Sequence, residues 1–473
     1  MADTALALTP AYKLAQLIKN KELSPVELVD CFLERISVLN PKLNAFLTVT
    51  ESEARATAAA AEKALVTQKE LPPLHGVPVA IKDLEYTKGI RTTSGSLVYK
   101  DFVPDEDSIA VERLRAAGAI ILGKTNTPEF GLLGETKNRL GDDCRNPWDT
   151  RCTTGGSSGG SAAAIAAGLS PLATGSDSAG SISNPAGFCG VFGIKPTHGR
   201  IPLWPPAPDS LLLLDSGPIS RTVKDAALML GIMAGHDSRD PISIREKAPD
   251  YLSVVDKPLP KLRMAWSADM GYAKVDSEVR SASEEAARVF ETLGCTVEEA
   301  APDIEYPFDI YTPIILADEY VAIGNLLEER PEDLFPESVV EMKPAREVTS
   351  VQYVRALNRL WHFQSRMSDF FEKYDILLTP TNVVTAFPVG DAPREIGGQP
   401  VKPHWTTFMP FQVCWNLTGY PAASVPCGFS ANGLPIGLFI IGRWGQEDVV
   451  LAASAAFEQA RPWADKIPQI AQF

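Results

Sequence analysis

From Gly76 onward, short apolar runs alternate with helical stretches, and few chain folds accommodate that order. Val77–Ile81 is followed by a helical segment over 107–117 closed by Gly118, and then by Ala119–Leu122. The unit recurs as Leu262–Trp266, helix 276–293 and Cys295–Glu298, with further strand candidates at Ile376–Thr379, Ala422–Pro426 and Leu438–Ile441. Such alternation predicts an α/β fold: a large mixed, substantially parallel β-sheet with helices on both faces. Upstream, Ser24-Pro25-Val26-Glu27 has the form of a capping box, and Val29, Phe32, Leu33 and Ile36 share one helical face, ended by Asn40-Pro41. Residues 52–65, rich in Ala and Glu, predict a second helix. Stretches 300–345 and 380–410 carry Pro, charge and aromatics without a clear period. They read as insertions, so 300–410 is expected to form a variable lid over the site. No repeat or low-complexity linker divides the chain, and a single domain spanning 1–473 is expected.

Composition excludes more than it selects. The chain has 44 Lys+Arg against 59 Asp+Glu, a net charge of −15, with no basic block. Nucleic-acid binding depends on neutralising phosphates, so it is not expected here. The N-terminus lacks the pattern of a secretory signal, and no apolar run reaches the ~18 residues of a membrane span. Seven scattered cysteines, none in a CxxC pair, fit reduced thiols in a cytoplasmic protein. No His/Cys/Asp cluster has ligand spacing, so no metal or other cofactor is expected. Small neutral or cationic ligands stay open as partners, as does a homodimer.

The densest information lies in Thr154-Gly-Gly-Ser-Ser-Gly-Gly-Ser161, followed by an Ala-rich helix and by Gly175-Ser-Asp-Ser-Ala-Gly-Ser181. Taken alone, the first run reads equally as a flexible turn. A phosphate loop fits poorly, because no Gly-Lys-Ser/Thr follows. Gly156-Ser-Ser158-Gly-Gly160 also satisfies the nucleophile-elbow pattern, with His198, His236, His362 and His404 downstream as partners. None of these histidines sits in a Gly-rich or acidic signature.

These runs, together with Gly76-Val-Pro-Val-Ala-Ile-Lys82-Asp83, resemble the amidase signature family of serine hydrolases. Asn146-Pro-Trp-Asp149, Phe188-Cys-Gly190, Gly193-Ile-Lys-Pro-Thr197, Leu377-Leu-Thr-Pro-Thr381, Asn416-Leu-Thr-Gly419 and Gly433-Leu-Pro-Ile-Gly437 extend the resemblance over nearly the whole chain. It implies a Ser-Ser-Lys triad in which Ser181 is the nucleophile, Ser158 the bridge and Lys82 the base. A serine hydroxyl needs a base within hydrogen-bond range, and lysine serves only when burial holds it neutral. In isolation, Lys82 reads instead as an exposed strand-end residue paired with Asp83. A bridging serine would pass the proton inward and later return it to the leaving amine. Backbone N–H groups of Ser178, Ala179, Gly180 and Ser181 are expected to face the oxyanion, with Asp177 orienting their turn.

Two departures from the family pattern bear on substrate. Ala179-Gly180 stands where two glycines are common, and Ser183 and Asn184 stand where many members carry an arginine. The missing arginine points to a neutral substrate, with Asn184 in its pocket. The apolar stretch Ile201-Pro-Leu203-Trp204-Pro-Pro-Ala-Pro208, followed by Leu211–Leu214, reads as an acyl or aryl pocket wall or as plain packing. The favoured activity is hydrolysis of the C–N bond of neutral, apolar or aryl amides, with esters and carbamates sharing the acylation step. The alternatives are the glutamine-amidase component of a tRNA-dependent amidotransferase and a non-catalytic binding member of the family.

Overall fold

The computed structural model describes residues 3–205 and 212–472. Its centre is an 11-stranded mixed sheet. The strands are β1 (Phe46–Val49), β2 (Pro78–Lys82), β3 (Ile120–Thr125), β4 (Leu172–Asp177), β5 (Phe192–Lys195), β6 (Asp215–Ser220), β7 (Arg263–Trp266), β8 (Thr296–Glu299), β9 (Ile376–Pro380), β12 (Ala422–Phe429) and β13 (Pro435–Gly442). A separate hairpin is formed by β10 (Glu395–Ile396) and β11 (Gln399–Pro400). The sheet order is β1-β3-β2-β4-β6-β5-β12-β13-β9-β7-β8. Parallel pairing occupies two blocks, β3-β2-β4 and β9-β7-β8, where the sequence alternates strand and helix. Between them, β4 to β9 pair antiparallel through β6, β5, β12 and β13. No helix among the described residues is long and apolar enough to cross a membrane.

The first long helix runs Pro25–Leu43, capped by Ser24, whose Oγ accepts from the amides of Val26 and Glu27. Pro41 is accommodated in its last turn, so the helix outlasts the predicted stop and ends at Asn44 in the left-handed region. Ser24 also donates to Glu62, which ties this helix to the next one, Glu51–Thr67.

Arg35 projects from the first long helix into the interior and is fully buried. Its guanidinium donates to the carbonyls of Gly168 (2.8 Å), Ala167 (2.9 Å) and Ala471 (2.8 Å). Two of these carbonyls lie at the C-terminal end of the helix Gly159–Ala166, where intrahelical donors run out. That helix contains nothing larger than Ile165, and all eight of its residues are buried, so small side chains let it lie close on the sheet. Ser161 fixes it there, with Oγ 2.7 Å from both Thr125 Oγ1 on β3 and the Thr174 carbonyl on β4.

The region 300–410 contains substantial helix. Phe308–Ile323 and Ser350–Phe371 pack in a second hydrophobic core that also takes in Phe411, Trp415 and Ala179. Phe308–Ile323 is apolar on nearly every side and contains Pro313, which conceals its 3.6-residue period. The 22-residue helix Ser350–Phe371 is announced by a true capping box at Thr349 and Gln352, but exposed Val351, Val354 and Trp361 blur its polar face.

Replacing Arg35 with Ala would leave three buried carbonyls without donors and a void beside the Gly159–Ala166 helix. A loss of ~3–5 kcal/mol is expected. Urea denaturation checks it: the midpoint should fall substantially at unchanged m-value.

Candidate active site

Strands β2 and β4 run parallel as neighbours, so their C-terminal ends reach the same edge of the sheet. In α/β sheets this is the edge where polar groups converge on ligands. Here β2 ends at Lys82, and β4 ends with Ser176 and Asp177. Lys82 is completely buried. Its Nζ lies 2.7 Å from Ser157 Oγ, 2.9 Å from Ser176 Oγ and 3.1 Å from the Ser176 carbonyl. Asp83 does not pair with it. That carboxylate accepts from the Thr93 amide at 3.0 Å, and burial pushes it above the usual carboxylate range against the pull of Lys124.

The glycine-serine run is buried from Thr154 to Ser161, which rules out a flexible turn. A Cβ at Gly156 would stand 2.7 Å from the Leu133 carbonyl, and one at Gly160 would stand 2.3 Å from the Asn126 nitrogen. These glycines are required by close packing. The Gly156–Ser157 peptide is cis.

Of the two adjacent serines, Ser157 is the one brought to Lys82, and this corrects the sequence assignment of Ser158 as the bridge. Ser158 Oγ instead lies 3.3 Å from both the carbonyl and the amide of Ser176. Its own amide donates to the Ser181 carbonyl at 3.1 Å. Ser158 therefore braces the backbone on which Ser176 and Ser181 are mounted. The elbow reading also finds no histidine partner: Ser158 Oγ bonds the backbone of Ser176, and none of His198, His236, His362 and His404 is hydrogen-bonded to it.

Asp177 organises the turn that carries Ser181. Its Oδ1 accepts from the Gly180 amide at 2.6 Å and its Oδ2 from the Ile182 amide at 2.7 Å. The Gly180 N–H is thereby committed to Asp177 and is not open to the oxyanion role expected of it from the sequence. The amides of Ala179 and Ser181 are not engaged by Asp177. Gly180 has φ of 112°, and a Cβ there would meet Gln412 at 2.6 Å, so glycine is needed at this position despite the Ala before it.

Three further assignments change place. Asn184 is fully buried, and its side-chain amide donates to the carbonyls of Gly134 (3.1 Å) and Gly156 (3.0 Å). It supports the serine loop from behind and does not line the cavity in front of Ser181. Leu203 and Trp204 line a different cavity, with Glu85, Tyr86, Ser176, Leu214 and Ser216. Residues 201–205 are drawn there by packing near Ala110 and by the Ile109 amide, which donates to the Trp204 carbonyl at 3.0 Å. Pro206, Ala207, Pro208 and Leu211 lie outside the described residues.

The cavity that holds Ser181 has a volume of about 340 Å³. Ser157, Ser176, Ser178 and Ala179 share its wall with Ser181. Opposite them, Phe308, Tyr311, Ile315 and Leu316 project from one face of a single helix at i, i+3, i+7 and i+8. Leu132, Leu133, Trp405 and Met409 complete an apolar enclosure, with Glu319, Glu341 and His404 as its titratable members. Sequence reasoning missed both Ser157 and Ser176. Their available signal was position alone, Ser157 beside Ser158 and Ser176 next to Asp177 on a strand end.

Comparison with known proteins shows the family. The family profile described as Amidase matches residues 27–451. An acylamidase from Rhodococcus erythropolis is 37% identical over 99% of this chain and 98% of its own length. One of the subunits of the glutamyl-tRNA(Gln) amidotransferase of Thermosynechococcus vestitus is likewise 37% identical, over 96% of this chain and 98% of its own. Among solved structures, a bacterial aryl acylamidase of the amidase signature enzymes superposes with a TM-score of 0.91 at 31% identity, covering 98% of both chains. The chain belongs to the amidase signature family. It is an amidase.

The different surroundings of the two serines separate their roles. Ser157→Ala should lower kcat by ~10²–10⁴, the range for loss of a proton-transfer group, with the fold intact. Ser158→Ala should lower kcat less, by about tenfold, while reducing thermal stability through the lost brace on Ser176. Steady-state kinetics alongside melting curves on both variants check this; equal kinetic losses would count against the assignment.

Proposed function

We propose that this chain hydrolyses the C–N bond of neutral amides with apolar or aryl groups, by way of an acyl-enzyme on Ser181. The observation that carries the reading is the wall of the Ser181 cavity. Its body is aliphatic and aromatic, and no lysine or arginine lines it among the described residues. A substrate carboxylate would enter desolvated and without a counter-charge, next to Glu319 and Glu341, at a cost of several kcal/mol. Uncharged acyl and aryl groups gain from burial instead.

In this mechanism Ser181 Oγ attacks the amide carbonyl and its proton passes through Ser157 to neutral Lys82. The amides of Ala179 and Ser181 stabilise the oxyanion. As the C–N bond breaks, Lys82 returns the proton by way of Ser157 to the departing nitrogen, which cannot leave as an amide anion. Water then attacks the acyl-enzyme and gives its proton to Lys82 by way of Ser157; the acyl–Oγ bond breaks, the acid leaves, and the proton returns by the same route to Ser181 Oγ. Ester and carbamate substrates enter at the same acylation step and differ in leaving group.

The similarity to amidotransferase components supports a second reading, release of ammonia from glutamine for a partner chain. Free glutamine carries an α-carboxylate, and the apolar cavity without a basic side chain disfavours it.

The purified chain alone should turn over p-nitroacetanilide and longer neutral acyl anilides, and should turn over an anilide of succinic acid at least tenfold less efficiently in kcat/KM. Ser181→Ala should abolish turnover. Preference for glutamine, or activity only when a partner is added, would overturn the reading.

A further inference from the structure

Ser176 on β4 and Ser216 on β6 are directly opposed in the antiparallel ladder, so their side chains leave the same face of the sheet. One of these hydroxyls lies 2.9 Å from Lys82 Nζ. The other donates to Glu85 Oε1 at 3.1 Å and to the Gly175 carbonyl at 3.3 Å. Two serines on adjacent strands thus stand between the buried amine and a carboxyl group. Ser176, Ser216 and Glu85 also share the walls of the second cavity, closed by Leu84, Tyr86 and Trp204 on the far side of Ser176 from the substrate.

The other carboxylates nearby are engaged elsewhere. Asp83 is turned to Thr93, and Asp215, next to Ser216, is paired with Lys195 and His198. Lys124 on β3 is the nearer cation to Glu85: its amine donates to the Glu85 backbone carbonyl and to the hydroxyls of Thr87 and Thr92, and burial lowers it to about 8 against the pull of Asp83 and Glu85. Tyr86 lies in the same cavity wall. Burial pushes the Glu85 carboxyl above its ordinary range; Lys124 pulls it back first, then the hydroxyls of Thr174 and Ser216, and then Lys82. Glu85 is therefore the carboxyl group that faces Lys82 through this pair of serines.

We propose that Glu85 is a positioning residue for Lys82, whose carboxylate, acting through Ser216 and Ser176, is the counter-charge that keeps the amine basic enough to accept the Ser181 proton. Burial alone would make the amine neutral but a weak base, and a general base works best with proton affinity near the working pH. When the Oγ–carbonyl carbon bond forms, the proton leaves Ser181, passes through Ser157 and arrives on Lys82. The ammonium so created faces Glu85. The proton goes back to the leaving nitrogen when the C–N bond breaks, so Glu85 itself gains and loses nothing over the cycle.

The sign of the effect follows. A carboxylate favours the charged amine and raises its pKa; the uncharged amine is the active form; removing the carboxylate moves the acid limb of activity to lower pH and weakens the base. The proposal rests on Lys82 acting as base. It is tested by kcat/KM against pH on p-nitroacetanilide for the wild type, Glu85→Gln, Glu85→Asp and Ser216→Ala, each with a melting curve. Glu85→Gln should shift the acid limb down by about half a pH unit or more and lower kcat about tenfold, with KM within about twofold, because the substrate lies on the other side of Ser176. Glu85→Asp should restore most of the shift, and Ser216→Ala should move the limb less, in the same direction. A limb unmoved in Glu85→Gln, even with kcat reduced, would assign Glu85 a structural role only and overturn the proposal. If Glu85→Gln does not fold, Ser216→Ala decides: an unmoved limb overturns it. A wild type with no acid limb would overturn the lysine-base reading, and this proposal with it.

Discussion

An amine with no exposure to solvent must have every polar contact supplied by the protein, and at Lys82 those contacts come from the serine loop and the end of β4. Ser157 and the hydroxyl and carbonyl of Ser176 lie around Nζ. Ser158 then braces Ser176 with its side chain and Ser181 with its amide. Asp177, one residue further along the strand, holds the turn that ends in Ser181. Burying one amine at the end of β2 therefore fixes the relative position of β4, the serine loop and the turn of Ser181. The crowded glycines of the loop follow from the same constraint, since backbone must approach backbone where Gly156 and Gly160 lie.

Much of this was legible in the sequence. The alternation of apolar runs and helices predicted the two parallel blocks, and motif order located Lys82 and the turn of Ser181. What the sequence withheld was direction. Ser157 and Ser158 are chemically identical neighbours, and only the path of the backbone decides which hydroxyl meets the amine. In the same way, Gly180 looked free to donate until Asp177 was seen to accept its N–H. Asn184 was read as a pocket residue from its place after the nucleophile, whereas helix geometry turns it back toward Gly134 and Gly156. Trp204 and Leu203 were selected for apolarity, which says that a residue will be covered without saying by what. The wall that does face Ser181 was hidden because Phe308–Ile323 is apolar all round and has no contrasting face to reveal its period.

The division of labour between sheet and insertion bears on specificity. Lys82, the serines and the turn held by Asp177 belong to strand ends and short loops pinned by buried hydrogen bonds. The apolar wall of the Ser181 cavity belongs largely to the helices and loops of 308–344 and 404–409, whose core takes in Ala179. Changes in that wall can alter what enters without disturbing the proton path. Proteins as different in role as an acylamidase and a component of an amidotransferase can then share a similar degree of identity with this chain.

The most direct measurement of the central claim is to treat the protein with a fluorophosphonate and map the modified residue by peptide mass spectrometry, in the wild type and in Lys82→Ala. A single phosphonyl group on Ser181, formed rapidly in the wild type and at least a hundredfold more slowly without the lysine, is the predicted result. A stable adduct on Ser157 or Ser158 in the wild type, or labelling of Ser181 at an unchanged rate in Lys82→Ala, would contradict it.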